Sequence, residues 1–161
     1  MFFGEERHTI TPIDSHGRMG VQQNPMTTQA TLRFLRMVHG VLMVSIVLYV
    51  LVMRMVPAQN TEPLKPSMLW SLGACAAVTL ALGQVMRSRR LGPAFETLRI
   101  KPDDPEALVR WRQGVLISDV LAEATVLYGF AVHALGGSGR QIAPFFIAGA
   151  AAMILWWPKM P

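Results

Sequence analysis

Two carboxylates, Asp119 and Glu123, lie four residues apart in the stretch from Gly114 to Leu135, which holds no other charged group except the ionisable His133. A separation of four places both on one face of a helix. Counted from Arg112 at about 1.5 Å per residue, Glu123 lies roughly 16 Å along the helix axis. That is near the middle of a hydrocarbon layer about 30 Å thick. An ionised carboxylate at that depth costs on the order of 2.5 to 3.5 kcal/mol on insertion scales, so such a group is protonated, partnered or functional. One chemistry for Glu123 is therefore reversible protonation, because removal from water disfavours the charged form of a carboxyl. The other is a neutral or paired acid that ties helices together through hydrogen bonds of about 0.6 kcal/mol each. Asp119, one turn nearer the cytoplasm, is either a proton-entry station or a group that faces water or Arg36.

The elements that position these two acids follow from hydropathy. The chain has 161 residues, of which 52% are hydrophobic and 16% charged, and its mean hydropathy is +0.34. Soluble domains carry about 25% charged residues. The expected fold class is an all-α integral membrane protein with four transmembrane helices in an antiparallel bundle. The spans are expected at about 34–56, 67–86, 114–135 and 142–157. A polar tail over 1–30, broken by Pro12, Gly17, Gly20 and Pro25, precedes the membrane domain 31–161 and contains no apolar core that would make a signal peptide. His8 and His16 within it read as solvated side chains. The first span is guarded by Arg33 and Arg36 and stopped by Pro57, and a Pro-rich loop from Ala58 to Pro66 follows. In the second span Gly73, Ala77 and Ala81 recur every four residues, a bare face that lets helices approach closely in a membrane. Residues 87–113 are expected as a long polar cytoplasmic loop. The third span closes at Gly136-Gly137-Ser138-Gly139, with a glycine where helices commonly stop. The fourth ends in Trp156, Trp157 and Lys159, a pattern that fits a membrane-interface anchor.

Net charge is +5, but the basic residues cluster at the ends of apolar runs, where membrane topology accounts for them without nucleic acid as a partner. Arg33, Arg36, Arg87, Arg89, Arg90, Arg99, Lys101, Arg110, Arg112 and Lys159 fall on one side of a four-span chain, with Arg7 and Arg18 of the tail. Arg54, Lys65 and Arg140 fall on the other. The positive-inside rule then puts both termini and the central loop in the cytoplasm, with the chain as a multi-pass protein of the inner, or plasma, membrane. The expected partners are the lipid bilayer and either further copies of the chain or other membrane subunits. The single cysteine, Cys75, excludes an intrachain disulfide and a Cys-based zinc site. His39 and His133 lie near opposite ends of their spans, roughly 30 Å apart, and so cannot ligate one haem iron. No cofactor, metal site or catalytic constellation is expected. A faint internal echo pairs Val47-Leu48-Tyr49 with Val126-Leu127-Tyr128, and Arg33 with Arg112 at the same distance upstream.

Pro105-Glu106-Ala107, the basic Arg110 and Arg112, Leu116-Ile117, Ala122-Glu123-Ala124, Tyr128-Gly129-Phe130 and Val132 together resemble the loop and second helix of the c subunit, or proteolipid, of rotary ATP synthases. The resemblance covers about 30 residues. It implies that Glu123 carries the ion, and the Ala124 that follows it, where sodium-binding members tend to supply a hydroxyl, implies protons. Tyr128 and Gly129 of the same motif are expected to join Gly73, Ala77 and Ala81 in helix packing. The first and fourth spans have no counterpart in a two-helix c subunit. Two functional classes are therefore expected of the chain: a proton-binding, c-subunit-like membrane protein, and a non-catalytic scaffold or accessory subunit that packs against partner membrane proteins.

Overall fold

A computed structural model describes residues 27–56 and 64–159. They form four helices and no strand: α1 Thr28–Met55, α2 Pro66–Ile100, α3 Pro105–Ala134 and α4 Gly139–Leu155. Three of these are long and apolar enough to cross a membrane, and α4, with 17 residues, is a shorter apolar helix. The polar tail with His8 and His16, the stop at Pro57 and most of the loop from Ala58 to Pro66 lie outside the described residues.

Local chemistry explains the ends. Thr27 caps α1 by accepting from the Ala30 amide, and Asp104 caps α3 in the same way from Ala107 at 2.9 Å, with Pro105 as the first helical residue. Ser138 and Gln141 make a reciprocal capping box at the start of α4. At the far end of α3, Gly136 adopts φ 88°. Its amide donates to the carbonyl of His133, and the Gly137 amide donates to that of Val132. These two bonds are the Schellman stop, which needs a residue tolerant of left-handed backbone.

Contact pairs set the directions. Gly83 meets Leu121, Arg90 meets Gln113 and Gly114 meets Leu91, so α2 and α3 run antiparallel. Gly129 against Phe145 and Gly149 against Val126 make α3 and α4 antiparallel. Helices α1 and α3 instead run parallel, because their partners keep a nearly constant sequence offset: 80 for His39 and Asp119, 78 for Ser45 and Glu123, 77 for Val56 and His133. The Val-Leu-Tyr echo has nearly this offset. Helix α3 is the hub, touching each of the other three, whereas no Cα of α1 comes within 8 Å of one in α2.

The expected loop over 87–113 is helical except at its tip. Helix α2 continues to Ile100 and α3 begins at Pro105, leaving only residues 101–104 between them. The reason is an apolar seam at helical spacing: Leu91, Ala94 and Leu98 of α2 pack against Ala107, Leu108, Trp111 and Val115 of α3. Leu32 and Leu35 of α1 complete this cluster, and Thr28 donates from its amide to Asp103 Oδ1 at 3.2 Å and from its hydroxyl to the Pro102 carbonyl. With 35 residues α2 is about 52 Å long. A hydrocarbon layer of about 30 Å therefore leaves roughly 20 Å of it outside. This end of the molecule is a three-helix stalk on which Arg89, Arg99 and Arg110 are exposed and Arg87, Arg90 and Arg112 half-buried.

The terminal tryptophans also differ from an interface belt. Trp156 is buried against Gly83 and donates its indole N–H to Gln84 Oε1 at 3.0 Å. Trp157 packs on His39, so this end of α4 is held by internal contacts.

Candidate functional site

Both acids of α3 point toward α1, at successive turns. Asp119 is completely buried and meets His39 of α1, with Nδ1 3.0 Å from Oδ2. It faces neither water nor Arg36, because the parallel register places the His39 imidazole directly opposite it. His39 is also 0% exposed. Two atoms of this pair, His39 Nε2 and Asp119 Oδ1, have no hydrogen-bond partner among the described residues. Beside them, Ser118 donates its hydroxyl to backbone carbonyls one turn back and accepts from Arg87 Nη1 of α2 at 3.3 Å. Burial lowers the pKa of the Arg87 guanidinium, and the charge of Asp119 acts against that shift. From α4, the Trp157 ring stands edge-on to the imidazole with centroids 5.0 Å apart.

Glu123, one turn farther along, is half-buried. Its Oε1 lies 2.5 Å from Ser45 Oγ and 3.1 Å from the Tyr49 hydroxyl. Ser45 Oγ is also 2.7 Å from the Leu42 carbonyl. A serine has one hydroxyl proton. That proton therefore serves either Leu42 or Glu123 at any moment, and the arrangement has two complete states. With Glu123 ionised, Ser45 donates to it. With Glu123 protonated, the carboxyl donates to Ser45, which donates on to Leu42. The same Ser45 oxygen can therefore pair with Oε1 in both forms of the acid.

Of the residues expected to pack helices, Gly129 does so within the chain: a Cβ there would come 2.9 Å from Phe145 Cβ and from the Phe146 ring. Tyr128 packs on the outer apolar cluster with Val132, Ile142 and Phe145. Gly73 meets nothing within 4 Å, and Ala77 and Ala81 are exposed. Close approaches to α3 also fall at Gly114, against Arg90 and Leu91 of α2, and at Gly149 of α4, while Gly83 of α2 lies tightest against Trp156. Gly73 and Ala77 line an open apolar groove of about 230 Å³ with Leu80, Thr125, Pro144 and Phe145.

Sequence reasoning placed Asp119 and Glu123 on one face but missed His39, Ser45 and Tyr49 as their partners. The one signal available was the Val-Leu-Tyr echo, whose offset is close to the register that brings α1 alongside α3. His39 and His133 are held apart as expected, His133 bonding through Nε2 to the Val56 carbonyl. Among the described residues no three His, Cys, Asp or Glu side chains come together as a metal cluster. No known protein family, characterised protein or solved structure matches the chain.

Proposed function

We propose that this chain is a proton-binding membrane protein in which Glu123, with Asp119 one turn toward the cytoplasm, takes up and releases protons at the seam between α1 and α3. The observation that carries the reading is the Ser45 hydroxyl poised between Glu123 Oε1 and the Leu42 carbonyl, where it can pair with the acid in either protonation state. The likeness of residues 105–135 to a c-subunit helix supports the same reading of Glu123. The partners of that acid come from α1, outside the α2–α3 hairpin, so it functions within one chain and needs no ring to shelter it. The lysine and arginine distribution supports a multi-pass protein of the inner, or plasma, membrane with the stalk and both termini cytoplasmic.

The test is reaction with a hydrophobic carbodiimide in lipid. A protonated Glu123 labels near neutral pH, is protected as the pH rises, and loses all labelling in E123Q, which also abolishes proton uptake by vesicles containing the protein. Labelling that is absent or independent of pH, with uptake equal in wild type and E123Q, overturns the proposal.

The open groove at Gly73 and Ala77 favours a second reading, an accessory subunit or homo-oligomer whose neighbouring helix lies along α2. In that case G73L disrupts co-purification of membrane partners, or self-association, while E123Q does not.

A further inference from the structure

The His39–Asp119 pair has geometry that an inert ion pair does not require. Both groups are sealed from solvent, yet the imidazole uses only Nδ1, and Nε2 has no partner among the described residues. A buried unpaired donor or acceptor is costly, so a purely structural histidine is expected to have both nitrogens satisfied. The charged groups around the imidazole are Asp119 from α3 and, beyond it, Arg87 from α2. Helix α4 contributes Trp157, which does not titrate. Trp157 stands after the last helical residue of α4, and while His39 is 0% exposed, this ring that leans on it is 44% exposed. Its indole therefore lies between the imidazole and the surface of the molecule.

We infer that His39 is the relay through which Asp119 exchanges protons with the cytoplasmic side, and that Trp157 is the cover over that relay. The inference rests on the proton-binding reading above and assigns its entry residue. In loading, a proton reaches Nε2 of the neutral imidazole and the Nδ1 proton passes to Oδ2 of ionised Asp119. His39 is left neutral with its proton on Nε2, and Asp119 is left as a carboxylic acid. One proton enters, one is held, and unloading runs the same steps backward. His39 is a positioning residue for Asp119 as well as a carrier, so the test needs a readout that positioning alone does not move.

The experiment is a pH jump on the full chain in lipid, followed by time-resolved infrared absorption of the Asp119 carboxyl, identified by its loss in D119N. In H39Q, whose amide can still donate to Asp119 but cannot relay, protonation of Asp119 is expected to slow at least tenfold. In H39A, added imidazole restores the rate. W157A speeds protonation several-fold and opens His39 to modification by diethyl pyrocarbonate. A rate in H39Q equal to wild type, or an Asp119 that never changes protonation state, overturns the relay. Where a His39 variant does not fold, W157A decides alone, and an unchanged rate in it overturns the inference. The two readings fail separately: absent vesicle uptake with a His39-dependent Asp119 rate removes the transport function and leaves the relay.

Discussion

Gly149 of α4 lies so close to Val126 of α3 that a Cβ at Gly149 would stand 2.5 Å from Val126 Cγ2 and 2.9 Å from the Ala122 carbonyl oxygen. Backbone cannot step aside as a flexible side chain can, so the helices must separate to admit even a methyl group. Gly149→Ala is expected to destabilise the fold by about 1–3 kcal/mol, the usual range for overpacking. Gly73→Ala, at a position with nothing within 4 Å, is expected to be neutral or to stabilise α2 by up to about 1 kcal/mol. Thermal unfolding of both variants in one detergent checks the contrast.

The stalk depends on Trp111, which is 0% exposed and packs with Leu91, Ala94 and Leu98. Trp111→Ala is expected to cost about 3–5 kcal/mol, as for other buried aromatic truncations. The loss should be local. Amide hydrogen exchange should rise over residues 87–113 and in the first turns of α1, while the α3–α4 contact near Gly149 stays protected.

Removing one member of the buried pair strands the other. His39→Leu, which leaves the Asp119 carboxyl buried without its partner, is expected to destabilise by about 3–5 kcal/mol, and the double variant His39→Leu with Asp119→Leu by distinctly less. A double-mutant cycle on unfolding in lipid measures the difference. Equal losses in the single and double variants would show that packing alone holds α1 to α3 at this level.

Orientation is open to direct chemical test. With Cys75 replaced by Ser, a cysteine at Asp103, at the exposed tip of the stalk, should react with a membrane-impermeant maleimide only in inside-out vesicles. A cysteine at Gly139, at the start of α4, should react only in right-side-out ones. The reverse pattern would invert the topology drawn from the arginines.

Much of the fold was legible because membrane helices announce themselves by length, hydropathy and end signals. The glycines from Gly136 mark where α3 stops, whereas Asp104 and Pro105, which cap and start it, fell inside the expected loop. The stalk was not legible in the same way. Arg87 to Arg90, then Gly92 and Pro93, read as the charged, broken composition of a loop. Water solvates those charges equally well on the outside of a helix, and the spacing of Leu91, Ala94 and Leu98 holds the inside together. Asp119 and Glu123 were legible as a pair because their spacing belongs to one helix. Their partners were not, since His39, Ser45 and Tyr49 come from about 75 to 80 residues away and depend on how two apolar rods slide past each other. Sequence periodicity has no say in that sliding. The polar contacts themselves, with Leu42, Met43 and Ile46 packed against Ala122 and Val126, fix it.

Because no Cα of α1 comes within 8 Å of one in α2, whereas α3 touches all three other helices, the molecule has a single keel in place of a closed wall. A shift in how that keel is seated is therefore felt by every other helix of the bundle, without any hinge in the chain.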